Sequence, residues 1–131
     1  MYRPYTPQDR QALFTDLNEI GATEVCNLER ALEDSASVWV MERRGRLMAV
    51  GGLVVQTLLS DECFAWLVCT RACNARYMRW ITEQLLGRYR VVHVALDPAK
   101  PKAVRFATWL GFQLHGTLPD GFDHYVLRRA A

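Results

Sequence analysis

The sequence lacks a long hydrophobic run. No apolar stretch approaches the ~20 residues that a helix needs to cross a bilayer. The first ten residues, MYRPYTPQDR, are polar and charged where a secretory signal peptide has an apolar core. We therefore expect a soluble protein located in the cytoplasm.

The sequence also lacks a large excess of charge of either sign. The 131 residues carry a formal net charge of only +2, which gives no strong attraction to nucleic acid or to a membrane surface. The sequence has no repeats, low-complexity tracts or linkers, and 50% of its residues are hydrophobic. This composition predicts one globular domain spanning residues 1–131, which buries about two thirds of its surface on folding.

Metal ligands at a recognisable spacing are lacking as well. Cys69 and Cys73 are four residues apart with no second pair at zinc spacing, so reduced core thiols and no metal are expected. The histidines lie on or next to separate predicted strands, and metal binding would require them to converge in space. His93, inside an apolar strand, is expected to be a hydrogen-bonded core residue. The full sets are Cys26, Cys63, Cys69 and Cys73, and His93, His115 and His124.

The most informative pattern is a strand, a loop and a helix near the end of the chain. An apolar strand at 91–96 leads into a breaker cluster, and Pro101 suits the first helical position, where its missing N–H costs nothing. Gly111 suits the left-handed position that ends a helix. Four apolar residues at i, i+3, i+4 and i+7 predict one buried stripe: Ala103, Phe106, Ala107 and Leu110.

This unit resembles the C-terminal motif of the GCN5-related N-acetyltransferase (GNAT) superfamily, A-x-x-x-[YF]-x-x-[LI]-G-F. Ala103, Leu110, Gly111 and Phe112 match it as they stand. The segment AVRFATWLGF followed by QLHG also resembles the corresponding segment of small GNAT-like proteins of tailed phages, of the internal virion protein type. The resemblance implies a single α/β domain with the acyl-CoA N-acyltransferase fold: a mixed, mostly antiparallel sheet flanked by about four helices.

The remaining segments predict elements in the same order. Thr6 is expected to cap the first helix, with Pro7 at its first position and Asp9 in its first turn. Gly51 and Gly52 inside a strand suggest a bulge or a close approach. Strands are predicted at 2–5, 38–42, 47–57, 63–70, 113–118 and 122–128, and helices at 7–17, 24–32 and 77–88.

In the resembled family, a turn with the pattern Q/R-x-x-G-x-G/A holds the pyrophosphate of acetyl-CoA on backbone N–H groups at a helix N-terminus. Starting that pattern at position 71 puts Asn74 and Arg76 at the two small positions, and starting it at 73 puts Arg76 and Met78 there. Neither alignment keeps a glycine. Asn74 tolerates a left-handed backbone, so the first alignment departs less. The basic residues there, Arg71, Arg76 and Arg79, either compensate with charge or form a solvated helix end.

The resemblance also implies roles for other residues. Glu62 is the candidate base and Asp61 its neighbour, each acting directly or through water. The acid of the family is a tyrosine at the position of Ala107, so Tyr125, or Cys69 or Cys73, is a candidate substitute. The implied acetyl-CoA contacts are Val68, Thr70, Arg71, Asn74, Ala75, Arg76, Lys100 (where the family often has asparagine) and Phe106.

Two functions are compatible with these residues. The first is transfer of an acetyl group from acetyl-CoA to a primary amine, with Glu24, Asn27 and Glu29 either facing the acceptor or forming solvated helix surface. The alternative is a catalytically degenerate phage protein, located in the virion as an internal or ejection component or binding a host protein. Five arginines interleaved with aromatics (Arg71, Arg76, Arg79, Arg88 and Arg90) favour a protein partner at least as much as nucleic acid.

Overall fold

The computed structural model of the protein describes residues 2–15, 32, 35, 37–54 and 61–129. They form one seven-stranded sheet with three helices. The strands are β1 (Tyr2–Arg3), β2 (Ser37–Arg43), β3 (Arg46–Val54), β4 (Glu62–Cys69), β5 (Val91–Leu96), β6 (Gln113–Thr117) and β7 (Asp123–Arg128), and the helices are α1 (Pro7–Thr15), α2 (Ala75–Arg88) and α3 (Pro101–Leu110). Most of the helix predicted at 24–32 lies outside the described residues, as do Glu24, Asn27, Glu29 and Cys26.

The order of strands across the sheet is β1-β2-β3-β4-β5-β7-β6. Every neighbouring pair is antiparallel except β4 and β5, which are parallel because α2 crosses over between them. The mixed, mostly antiparallel sheet predicted from the sequence is therefore confirmed. Within the described part of the chain, no helix is long and apolar enough to span a bilayer.

Helix α1 begins with a network that differs from the expected cap. The backbone N–H of Thr6 donates to the Asp9 carboxylate at 2.8 Å, and the Thr6 hydroxyl also donates to it at 3.0 Å. Thr6 therefore acts as a donor, where the sequence predicted a hydroxyl that accepts from the helix. Asp9 is buried, and the Arg3 guanidinium, which bonds it through two nitrogens, holds the pKa of that carboxyl below its usual range.

The C-terminal unit follows its sequence signals residue by residue. Pro101 is the first residue of α3, and Gly111 ends the helix with φ of 105°, the left-handed conformation expected there. Ala103 and Ala107 are buried under the helix, and Phe106 and Leu110 are half-buried beside them. The stripe thus packs α3 on the sheet, and Phe112 enters the same core.

The core lies on both faces of the sheet. Helices α2 and α3 cover one face, where Val92, Leu96, Tyr125 and Leu127 are buried; we call it the cleft face. Helix α1 covers part of the other face, where Leu13 packs against valines of β2, β3 and β4. Because side chains alternate along a strand, the two β5 residues that alternate with the cleft-lining ones, His93 and Ala95, point to this second face, which we call the α1 face.

Strands β4 and β5 pair over only three residues. Glu62 to Phe64 lie opposite Val91 to His93, and beyond them the two strands separate. Strand β4 stays paired with β3 as far as Cys69, so its last five residues have an open backbone edge toward β5. The parted strands create a gap at the centre of the sheet, and this gap positions the candidate site.

The glycine pair in β3 marks a close approach, and β3 keeps regular register there. A Cβ on Gly52 would lie 2.5 Å from Nε1 of Trp66, which pairs with Gly52 across β3 and β4. The register shift in this part of the sheet falls instead between Met41 and Glu42 of β2. Only glycine leaves room for the indole, whose Nε1 donates to Oγ of Ser35 at 2.7 Å.

We predict that Gly52→Ala lowers the free energy of unfolding by about 1–3 kcal/mol, because the added methyl collides with a rigid ring. Urea denaturation followed by tryptophan fluorescence measures this change. Gly87→Ala is the matched control, since its Cβ meets nothing within 4 Å and it lies inside α2, where alanine gains about 0.5–1 kcal/mol. Equal stability of Gly52→Ala and the unchanged protein would contradict the close approach.

Candidate active site

The loop between β4 and α2 ends in a well-formed helix N-terminus. Asn74 is the N-cap of α2, and its side-chain oxygen accepts the backbone N–H of Tyr77 at 2.8 Å. The backbone N–H of Met78 donates to the Asn74 carbonyl at 3.1 Å. The N–H groups of Ala75 and Arg76, the first two of the helix, have no intrahelical acceptor and point out of the helix end. This terminus is chemically suited to an anion.

Asn74 adopts φ −104° and ψ 169°, an extended conformation. The tolerance of asparagine for a left-handed backbone is therefore not used at this position. Arg44, in the β2–β3 turn, is the one non-glycine residue with positive φ in the described part of the chain. The loop needs no glycine for its backbone conformation. Replacing the glycines of the resembled pattern therefore changes only how much room the side chains leave for a ligand at the loop.

Hydrogen bonds of Thr70 and Cys73 hold the β4–α2 loop on the side that faces the core. The buried Thr70 hydroxyl donates to the Leu47 carbonyl at 2.7 Å and accepts the Ala72 N–H at 3.3 Å, while the Cys73 N–H donates to the Thr70 carbonyl at 3.1 Å. A hydrogen bond from Cys69 lowers the pKa of the Cys73 thiol, and the same bond, with burial, raises that of Cys69. These groups support the loop from the core side, and the predicted contact of Thr70 with acetyl-CoA stays a prediction.

The arginines of this region do not form one stripe. Arg71 and Arg76 are exposed at the loop and at the start of α2. Arg79 lies over the Trp109 ring at 4.4 Å, and Arg90 pairs with Asp61 at 2.9 Å. Only the first two border the helix N-terminus, so they are the basic residues best suited to pair with an anion there.

An apolar cleft opens from the gap between β4 and β5 toward α2 and α3. Its cavity is about 80 Å³, and its lining includes Leu67, Val94, Met78, Ile81 and Phe106. Phe106, a predicted cofactor contact, is thus one of the residues that line the cleft, and its contact with acetyl-CoA stays a prediction. Ala107, at the position of the family's tyrosine, also lines the cleft with a methyl group and supplies no proton.

Apart from Phe106, the predicted contact residues lie outside the cleft lining: Val68, Thr70, Arg71, Asn74, Ala75, Arg76 and Lys100. Val68 packs on the α1 face against Leu13 and Val50, so only its backbone, on the open edge of β4, is available to a ligand in the gap. Lys100 is half-buried at the N-cap position of α3, with no side-chain capping bond. Because α2 and α3 both follow parallel strands, their N-termini share one edge of the sheet.

Glu62 and the histidines gather on the α1 face, beside the point where β4 and β5 part. Oε1 of Glu62 is 3.1 Å from Nε2 of His93, and Nδ1 of His93 is 2.9 Å from Nε2 of His124. The ring of His115 meets His124 edge-on, with centroids 4.9 Å apart. The histidines thus converge, which the sequence left open, yet no group of three metal-ligand side chains among residues 61–129 is arranged around a metal position.

The two candidate carboxylates, Asp61 and Glu62, have different partners. Asp61 pairs with Arg90 at the beginning of β4, while Glu62 faces the imidazoles. Tyr125 lies on the cleft face, buried next to the cleft residue Val94, with which it pairs across β5 and β7. Glu62 and Tyr125 therefore lie on opposite faces of the sheet, and neither is among the residues that line the cleft.

Known acetyltransferases share this architecture. Aminoglycoside acetyltransferase AAC(6′)-Ib in complex with coenzyme A superposes with a TM-score of 0.65 at 14% identity, over 98% of this chain and 94% of that one. The GNAT domain of S. lividans PAT gives 0.66 at 13%, over 98% and 89%. A spermidine N-acetyltransferase chimera of Vibrio cholerae SpeG and hSSAT gives 0.62 at 12%, over 98% and 96%. The chain has the GNAT fold.

At the level of sequence, no family model and no curated protein matches the chain. The likeness to the solved structures concerns the GNAT fold, at identities of 12–14%. Function therefore has to be argued from the residues around the gap.

We predict that Asn74→Ala lowers the free energy of unfolding by about 1 kcal/mol, because α2 loses its N-cap. Asn74→Asp is the matched control, since aspartate caps a helix as well as asparagine does. Urea denaturation of both variants measures the effect. If Asn74→Ala is as stable as the unchanged protein, the side chain does not cap α2.

Proposed function

We propose that the protein is a GNAT-type acyltransferase that transfers an acetyl group from acetyl-CoA to a primary amine. The observation that carries the proposal is the apolar cleft at the parted strands, with an open helix N-terminus at its edge. A thioester with a long flexible arm and a pyrophosphate matches both features, because the arm can thread the gap and the anion can bind the helix end.

Binding of the pyrophosphate is assigned to the loop and the first turn of α2. The amides of Ala75 and Arg76 donate to phosphate oxygens, and Asn74 keeps them in position by capping the helix. The guanidinium groups of Arg71 and Arg76 attract the phosphates by charge, which compensates for the close backbone approach that a glycine-rich loop allows. Lys100 adds a positive charge at the neighbouring helix start.

The chemistry requires two proton movements. The acceptor ammonium loses one proton to a base, and the neutral amine then forms the C–N bond while the C–S bond of the thioester breaks. Glu62 is the proposed base, acting directly or through water, because its carboxylate is half-exposed and hydrogen-bonds His93, which belongs to the last residue pair before β4 and β5 part. Tyr125 is the proposed acid that protonates the leaving thiolate from the cleft side.

We predict that acetyl-CoA raises the melting temperature in a saturable way. A ligand that binds only the folded state adds about 2.7 kcal/mol of stability at 100 times its dissociation constant. Replacing Arg71 and Arg76 by alanine should weaken binding about tenfold or more for each arginine, because each removes a charge-assisted hydrogen bond. Thermal-shift titration and calorimetry measure both effects, with desulfo-CoA as the analogue that cannot transfer an acetyl group.

Arg88→Ala is the matched control, since Arg88 lies at the opposite end of the same helix and stacks on Tyr89. Its affinity for acetyl-CoA should equal that of the unchanged protein. A flat response to millimolar acetyl-CoA would overturn the proposal, and equal losses in Arg88→Ala and Arg71→Ala would overturn the assigned phosphate site.

We predict that Tyr125→Phe lowers kcat about 100-fold and leaves the affinity for acetyl-CoA unchanged, because it removes the proposed acid without altering the cleft. Release of free thiol, with kanamycin and spermidine as acceptors, measures the rate. Tyr89→Phe is the control, since Tyr89 is buried in the same core at the end of α2. Full activity of Tyr125→Phe would show that the thiolate takes its proton elsewhere.

A second candidate function follows from the resemblance to small phage proteins. A catalytically degenerate GNAT scaffold would act as an internal virion or ejection component, or would bind a host protein. The observation that favours it is the exposed aromatic surface of α2 and α3, where Trp80 is 39% and Trp109 is 52% exposed. Such a protein would show no response to acetyl-CoA and would co-purify with particles or with its partner.

A further inference from the structure

The apolar cavity lies directly beneath the unpaired parts of β4 and β5. Ala65 and Leu67 of β4 line it from one side, and Val94 and Leu96 of β5 line it from the other. All four residues follow the last residue pair that joins the two strands. A ligand held in the gap therefore borders the cavity directly.

The lining of the cavity offers little to a polar group. None of the described side chains that line it carries a charge or an amide, and Thr82 carries the only hydroxyl. That hydroxyl donates to the Met78 carbonyl at 3.0 Å, and the indole N–H of Trp66 donates to Oγ of Ser35. The remaining side-chain N–H in the lining belongs to Trp39. Burying an amide without its hydrogen-bond partners is unfavourable, so the cavity favours an apolar group.

The parts of an acyl-CoA thioester differ in what they need from the protein. The pantetheine arm contains two amides, and the open backbone edge of β4 offers N–H and C=O groups that can pair with them. The acyl chain beyond the carbonyl is hydrocarbon and needs no hydrogen bond. The arm therefore suits the gap, and the acyl chain suits the cavity beneath it.

The cavity is larger than an acetyl group requires. Its volume is about 80 Å³. An apolar cavity of about 150 Å³ holds a benzene molecule, so about half that volume holds about three carbon atoms. An acetyl group places one methyl there and leaves the rest of the space empty, because an apolar cavity stays dry. A chain of about three carbons beyond the carbonyl, as in a butyryl group, fills it.

Small side chains create this space. Ala65 of β4 and Ala103 and Ala107 of α3 line the cavity, and all three are buried. In the resembled family, position 107 carries a tyrosine, whose ring is far larger than the methyl group of alanine. The alanine that replaces the family's acid therefore also opens room for a longer chain.

We propose that the cavity binds the acyl chain of the thioester, and that a chain of about three carbons beyond the carbonyl binds more tightly than acetyl. The inference rests on the proposed function and names the class of acyl donor that the site prefers, a short-chain acyl-CoA such as butyryl-CoA. It makes Ala107 a specificity-determining residue, because a larger side chain there fills the space that the acyl chain occupies.

Calorimetric titration of the full chain, without an amine acceptor, tests the inference. The probes are free CoA and its acetyl, propionyl, butyryl, hexanoyl and octanoyl thioesters. Each methylene that enters the cavity should raise the affinity about fourfold, so butyryl-CoA should bind about 16-fold more tightly than acetyl-CoA. The heat-capacity change should become more negative over the same steps, because more apolar surface is buried. The two longest chains should gain nothing further, since they exceed the cavity.

Ala107→Leu is the variant that fills the cavity. Leucine adds three carbons, so the ratio of butyryl-CoA affinity to acetyl-CoA affinity should fall to about one. Thr108→Leu is the matched control, because residue 108 is the exposed neighbour in α3 and lies outside the lining, and it should keep the ratio of the unchanged protein. Ile81→Ala enlarges the cavity from α2 and should make hexanoyl-CoA the tightest ligand, which keeps the test decisive if Ala107→Leu does not fold.

The outcomes separate the inference from the proposed function. Equal affinities for acetyl-CoA and butyryl-CoA in the unchanged protein would overturn the inference and leave the proposed function standing. A preference for butyryl-CoA that a folded Ala107→Leu variant keeps in full would place the chain outside the cavity and would overturn the inference as well. If neither CoA nor any of its thioesters binds, the proposed function fails and the inference fails with it.

Discussion

The parting of β4 and β5 after three paired residues is the constraint on which the rest of the structure depends. Backbone groups of a central strand must find partners, and the last five residues of β4 have theirs on one side only. A crossover helix must return antiparallel to the strands, so the N-terminus of α2 faces the same edge at which they separate. The open backbone edge, the helix end and the apolar cleft thus follow from one topological feature.

The loop at that edge keeps its form without the glycines that usually accompany it. The hydroxyl of Thr70 ties the turn to β3, and the Asn74 side chain caps α2, so hydrogen bonds set the backbone that glycine otherwise permits. What glycine would add is space, because a side chain at the helix start restricts how closely a phosphate approaches. Arg76 occupies that position, and under the proposed function its guanidinium would bind the anion at longer range.

How far the sequence predicts the molecule depends on how local each rule is. The helix from Pro101 to Gly111 was predictable to the residue because a proline start and a left-handed glycine end are local backbone requirements. The prediction that the Thr6 hydroxyl accepts a hydrogen bond from the helix was wrong. Arg3, three residues before Thr6, orients the Asp9 carboxylate so that the hydroxyl donates to it. The hydrogen-bonded row of Glu62, His93 and His124 could not be predicted at all, since its members are separated by 31 residues at each step and meet only through strand pairing.

Alternation along the strands places the proposed base and the proposed acid on different faces of the sheet. Glu62 lies beside His93 on the α1 face, and Tyr125 lies beside Val94 on the cleft face. A base and an acid on opposite faces do not exchange a proton directly. Each can therefore keep the protonation state that its step requires. They can act on one reaction only if the reacting carbon lies between them, in the plane of the sheet. The gap between β4 and β5 is where the sheet lacks backbone, and a thioester held there would be reached from both sides.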